Sequence, residues 1–191
     1  MDDKELFKRA MAQATQVIAK VAPADFKLPT PDTEWNVRRL IKHMLYELSW
    51  TADIVHGATM AEVGDKYDGN LIGESLPAAW QAAANAAEQA IDRCDLNSIA
   101  HLSYADRTVA EYLKEAASDQ LIHSWDLGVA IGQKVKFDPD IAQLIYDDTL
   151  PGAPTMSATG LFAPVLKVAE NAPLQTKLLA LYGRDSGWQP V

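Results

Sequence analysis

Apolar residues recur at steps of three and four along four long stretches of this chain and almost nowhere alternate, the pattern of amphipathic helices rather than strands. The first stretch, residues 1–21, carries Leu6, Ala10, Ala14, Val17, Ile18 and Val21 at that spacing, and prolines at 23, 29 and 31 stop it. The second opens where Asp32 or Thr33 caps a first turn containing Glu34, and runs through Val37, Leu40, Ile41, Met44 and Leu48 to about His56. The third, AAWQAAANAAEQAIDR from Ala78 to about Arg93, combines strong helix formers with no breaker. The fourth opens at Asp106 or Thr108 and stops at Gly132, a residue suited to the turn that ends a helix.

Between the second and third stretches, Gly57 to Pro77 contains four glycines and the turn-forming run GDKYDGN, which makes a long connection with room for a crossover and a short element of its own. Leu96 to Tyr104 has no clean period and reads as irregular or weakly extended. Two shorter helices, about Asp138–Asp147 and about Pro173–Tyr182, flank a Pro- and Gly-containing excursion from Thr149 to Pro164. The expected fold is all-α: an antiparallel four-helix bundle over residues 1–135, with a C-terminal accessory segment, 136–191, packed on it in the same domain. A chain of 191 residues buries enough surface for a core without disulfide staples, and the lone Cys94 has no internal partner.

Charge narrows the function. The balance of 17 basic against 26 acidic side chains leaves a net charge of −9, which argues against nucleic acid and anionic membrane surfaces as partners. The opening MDDKELFKRAMAQATQ is amphipathic rather than signal-like, and no apolar run is long enough for a membrane span, so a cytoplasmic location is expected.

Candidate chemistry gathers on two helices. The core stripe of the fourth should read Val109, Tyr112, Ala116, Asp119, His123, Leu127 and Ala130. A carboxylate on such a stripe needs a cationic partner, good hydrogen bonds or a metal. Four residues apart, Asp119 and His123 have Cβ atoms about 5–6 Å from one another, close enough to share one ion. On the second helix, His43 lies beside the stripe Leu40, Met44 and Leu48, with Glu47 one turn onward and Trp50 beyond. His43, Asp119 and His123 together would make a facial triad with open positions, the arrangement of reactive metal centres. The plainer alternative is a local Asp119–His123 ion pair with His43 paired to Glu47.

The remaining candidates read as structural. His56 and His101 are expected in solvent, Cys94 in packing, Tyr112 and Trp50 in the core rather than a pocket wall, and Asp147 and Asp148 at a solvated helix end. The sequence contains no phosphate-binding glycine loop, nucleophile elbow or zinc-finger cysteine pairs.

The run TPDTEWNVRRLIKHML at residues 30–45 resembles the T-P-x-x-x-W-x-V-x-x-L-x-x-H signature of the mycothiol-dependent maleylpyruvate isomerase group, within the wider DinB/YfiT-like superfamily of metal-binding bundles. DQLIHSWDLGVAIG at residues 119–132 resembles that group's acid-x-x-x-H-x-x-D-L-x-x-A-x-G block. The tail GLFAPVLKVAENAPLQTKLLALYGRDSGW at residues 160–188 is similar to the end of a metal-binding subgroup. The resemblance implies a DinB-like bundle holding a divalent ion, zinc by preference, on His43, Asp119 and His123. Helical proximity alone offers Glu47 or Asp126 to orient the imidazoles. Where this chain has Asp119 the isomerase pattern has Glu, and many DinB-like relatives have His; the shorter acid reaches about one methylene less far. The resemblance further implies a low-molecular-weight thiol such as mycothiol, activated at the metal for attack on an electrophilic substrate in an S-transferase or isomerase reaction. A non-catalytic metal or small-ligand binding protein is the alternative, and a homodimer stays open.

Overall fold

The computed structural model describes residues 1–153, 155 and 163–190. Among them the chain forms seven α-helices, one 3-10 turn and one small hairpin. Part of the expected excursion between Thr149 and Pro164, and the first residues of the tail block, lie outside the described residues.

Helix α1 spans Asp3–Ile18; Asp2 caps it by accepting from the Glu5 backbone N–H at 2.8 Å. The Pro-rich stop that follows forms a 3-10 turn, Pro23–Lys27. Helix α2 spans Val37–Ile54, so it begins later than a cap at Asp32 or Thr33 would place it. The buried Thr30 hydroxyl is within hydrogen-bond reach of both the Asp32 and Trp35 carbonyls, and Val37 N–H donates to the Leu28 carbonyl, which holds residues 28–36 as a looped-out turn; Asn36 is the actual cap.

The glycine-rich connection carries a single-turn helix, α3, Met60–Val63. Helix α4 spans Leu76–Arg93 and includes Pro77 in its first turn, where the missing N–H has no helical partner to lose. The stretch expected as irregular or weakly extended contains an extended strand, β1 Ile99–His101, paired in an antiparallel hairpin with β2 Asp106–Thr108 in the register Ala100 to Arg107. Strands of three residues are too short to show a period. Helix α5, Val109–Ala130, opens on a reciprocal capping box between Thr108 and Glu111. Gly132, at φ +73°, ends it. Helices α6, Pro139–Thr149, and α7, Leu174–Leu181, complete the described chain.

Helix α1 packs on α4 and α5, and α2 packs on the same two, which closes a ring of four helices around a continuous apolar core. The single core stripe expected on α5 is too narrow a description: every residue from Gln120 to Gly128 is buried. Helix α6 also packs on α5, and the chain after α5 folds back onto it; a side chain at Gly128 would meet Val135 at 2.1 Å. The C-terminal segment is fastened by Gln175, whose amide bonds the Val135 carbonyl and the Phe137 N–H, and by a buried Thr149–Tyr182 hydroxyl pair at 2.9 Å. No helix among the described residues is long and apolar enough to cross a membrane.

Candidate metal centre

Helices α2 and α5 pack side by side, and their facing polar side chains meet near the start of the buried half of α5. His43 Nε2 lies 3.3 Å from Asp119 Oδ1, and His123 Nε2 lies 3.4 Å from the same oxygen. One ligand atom from each of the three residues falls within 4.8 Å of the others. The two imidazoles stand edge to face, centroids 5.0 Å apart and planes at 82°. The sequence therefore brings together all three residues singled out for this role.

The two separations from Asp119 Oδ1 are long for direct ion pairs and compatible with a shared cation. Charge-assisted N–H···O contacts are typically about 2.7–2.9 Å. Metal bonds of about 2.1 Å at a tetrahedral angle place neighbouring ligand atoms about 3.4 Å apart. Asp119 Oδ2, moreover, is buried with no hydrogen-bond partner among the described residues, a costly state for a carboxylate oxygen unless something else satisfies it. Two imidazole nitrogens and a carboxylate oxygen are a donor set that divalent zinc accepts.

Electrostatics describe the same need for positive charge. Burial alone would raise the Asp119 carboxyl, but the neighbouring His123 and then His43 rings outweigh it and hold the group well below the ordinary carboxylate range. Burial likewise opposes a charged His123, yet Asp119 and then Asp126 reverse this and push the ring up to about 10. Glu47 is pushed up to about 7, first by burial and then by the Asp119 charge, with the two histidines pulling the other way. Its side chain keeps 40% exposure, so water moderates that rise.

The two proposed orienting acids separate clearly. Asp126 Oδ2 lies 3.0 Å from His123 Nδ1. Glu47 Oε1 lies 3.9 Å from His43 Nδ1, beyond hydrogen-bond range. Asp126 is fully buried and also receives Arg184, whose Nε and Nη2 lie 3.0–3.1 Å from its oxygens. Acting as acceptor toward both neighbours, it fixes a ring proton of His123 on Nδ1 and directs Nε2 toward Asp119; in the metal-free protein near neutral pH Nε2 is protonated as well.

Sequence reasoning missed two neighbours. Trp35 lies against both histidines, centroids 4.8 Å from His43 and 5.8 Å from His123, and the Arg39 guanidinium stands over its ring at 5.4 Å from the centroid. Arg184 arrives from beyond α7. Trp35 lay within the quoted TPDTEWNVRRLIKHML run and Arg184 within the tail block, but neither residue type announces such a place at a distance of 58 or more positions from its partner on α5.

The other candidates stand apart from this centre. His56 is exposed just past the end of α2, and His101 pairs with Asp106 at 2.9 Å on the hairpin. Cys94 is buried, its thiol donating to the Ile91 carbonyl, and burial pushes its pKa up. Trp50 and Tyr112 are core residues, and Tyr112 shares a 2.9 Å hydrogen bond with Thr51. At the acidic end of α6, Asp147 and Asp148 are exposed, as expected, and Asp148 pairs with Lys114.

Comparison with known proteins agrees with this picture. The model of the mycothiol maleylpyruvate isomerase N-terminal domain matches residues 7–128, a span that holds His43, Asp119, His123 and Asp126, and the chain belongs to that family. Two uncharacterized proteins of Mycobacterium tuberculosis, from strains CDC 1551 / Oshkosh and H37Rv, are each 26% identical to it over 191 residues, covering 96% of this chain and 98% of their own length. No solved structure matches the chain.

Proposed function

We propose that this member of the mycothiol maleylpyruvate isomerase N-terminal domain family holds one divalent ion, zinc by preference, between His43, Asp119 and His123, and activates a low-molecular-weight thiol there for attack on an electrophilic small molecule. The observation that carries the reading is the gathering of three donor atoms within 4.8 Å of one another, with the second Asp119 oxygen buried and without a hydrogen-bond partner among the described residues. The family's own description supports mycothiol as the thiol.

A bound divalent ion would supply the Lewis acidity that makes a coordinated thiol a thiolate at neutral pH. The chain's residues do the rest. His123, with 10% side-chain exposure, forms the inner wall and is oriented by Asp126. His43 and Asp119 keep 25% and 29% exposure and form the open side by which small molecules reach the centre. Trp35 packs against both imidazoles and supplies an apolar wall beside the open side. Glu47 stands at the rim of His43, able to hold or release a proton near neutral pH at its carboxyl oxygens. Addition of the thiol followed by its retention gives transfer; addition and re-expulsion after bond rotation gives isomerisation.

The deciding experiment is elemental analysis of protein purified without a histidine tag, followed by cobalt substitution and titration with small thiols, mycothiol included. About one equivalent of metal and a thiol-dependent change in the cobalt spectrum are expected. Metal without response to any thiol, and binding of electrophiles without turnover, would leave a non-catalytic binding protein. Protein that takes up no metal would reduce the triad to a buried polar cluster.

A further inference from the structure

We infer that Arg184 is a positioning residue for the candidate metal centre, holding His123 and the Trp35 loop in place, so that the C-terminal segment is a working part of the site. This rests on the metal-binding reading above and extends it to a residue outside the span 7–128 that the family model matches.

Arg184 follows α7 and reaches back into the bundle with 10% side-chain exposure. Its Nε lies 3.1 Å from both Asp126 oxygens, and its Nη2 lies 3.0 Å from Asp126 Oδ2 and 3.2 Å from Asp32 Oδ2. Its Nη1 donates to the Tyr182 carbonyl at 3.2 Å, which turns the guanidinium plane toward both acids. One planar fork thus joins α5, through Asp126, to the loop ahead of α2, through Asp32.

Both joined elements carry walls of the centre. Asp126 is the hydrogen-bond partner of His123 Nδ1, so whatever fixes the carboxylate fixes the ring. Asp32 accepts the Trp35 backbone N–H through its carbonyl at 2.9 Å, and the Trp35 ring rests against both histidines. A lysine at this position would offer a point charge without the fork and could not serve both acids in the same geometry. A buried Asp126 left without the guanidinium would have His123 as its remaining side-chain partner among the described residues, and the strain of that buried charge would fall on the ring.

The test compares wild type with Arg184→Met, which keeps the length and apolar stem of the side chain, and with Arg184→Lys. Two measurements are made: zinc affinity by competition with a chromophoric chelator, and the His123 ring N–H resonance in metal-free protein by nitrogen-15 NMR. Arg184→Met should lose roughly 10–100-fold in zinc affinity and the protected Nδ1–H signal of His123, with helical circular dichroism unchanged, and Arg184→Lys should restore part of both. Wild-type affinity together with an unchanged His123 signal in Arg184→Met would overturn the inference. Because the resonance is read without metal, a chain that binds no zinc still decides the role of Arg184, while refuting the metal reading separately. If Arg184→Met does not fold, Arg184→Lys, which keeps the charge and loses the fork, takes its place, and wild-type zinc affinity together with an unchanged His123 signal there would overturn the inference equally.

Discussion

His123 Nδ1 lies 3.0 Å from Asp126 Oδ2, one turn further along the same helix, and Asp126 has no exposed surface. The ring is thereby committed on one edge, and its other nitrogen is left facing Asp119. An i, i+3 pair on α5 therefore does for His123 what no described residue does for His43, whose Nδ1 has Glu47 at 3.9 Å. His123 is the more firmly held ring, and under the proposed function its removal should cost the most metal.

His123→Ala is expected to lose bound metal while keeping most of its helical circular dichroism. The apolar core runs continuously from Leu6 to Tyr182 without needing the ring. Elemental analysis and far-ultraviolet spectra check the two halves, and global unfolding of the variant would mark the centre as structural.

The metal-free protein should have a distinctive dependence on pH. His123 is raised in the folded chain to about 10 from an ordinary value of 6.5, so its contribution to stability is fully present below the lower value and lost as pH rises through the higher. Asp119 is shifted downward, so its contribution is present above the ordinary Asp range and lost only in strong acid. Thermal melts of metal-stripped protein should fall between about pH 6.5 and 10, whereas metal uptake near neutral pH should release protons into a weakly buffered indicator solution.

Tyr112→Phe separates stability from the centre. The Tyr112 hydroxyl meets Thr51 Oγ1 at 2.9 Å, and Thr51 keeps a second partner in the Glu47 carbonyl. Deleting one hydroxyl whose partner stays satisfied should cost about 1 kcal/mol in urea unfolding and leave metal content unchanged.

Gly183→Ala should disturb both. Gly183 sits at φ +70°, and a Cβ there would fall 2.5 Å from the Ala163 Cβ and 2.9 Å from the Pro164 carbonyl oxygen. The expected loss is about 1–3 kcal/mol from strain and overpacking. Since the next residue is Arg184, zinc affinity should fall with stability, which chelator competition on the folded variant would read directly.

The helical elements were legible because each depends on a local pattern. Steps of three and four located the long helices, and caps or breakers located their ends where the local hydrogen bonds were the ones expected, as at Thr108 and Gly132. The start of α2 was misplaced because Thr30 and Leu28 hold the preceding loop by contacts that the helical period does not encode. The hairpin at residues 99–108 was foreshadowed only as an irregular or weakly extended stretch because its strands are three residues long and stabilised by each other.

The centre divides in the same way. Asp119 and His123 share a helix face by spacing, and an ionisable pair on an expected core stripe already demanded a partner; His43 could be named from its place beside the α2 stripe and from resemblance. The chain order alone sets those positions because helix geometry converts spacing into direction. It does not set which faces of distant helices meet, so the 3.3 Å approach of His43 to Asp119 belongs to the packing of α2 on α5. Packing also selected Asp126 over Glu47 as the orienting acid, brought Trp35 over the rings, and carried Arg184 across 58 positions to a carboxylate that burial leaves in need of a cation.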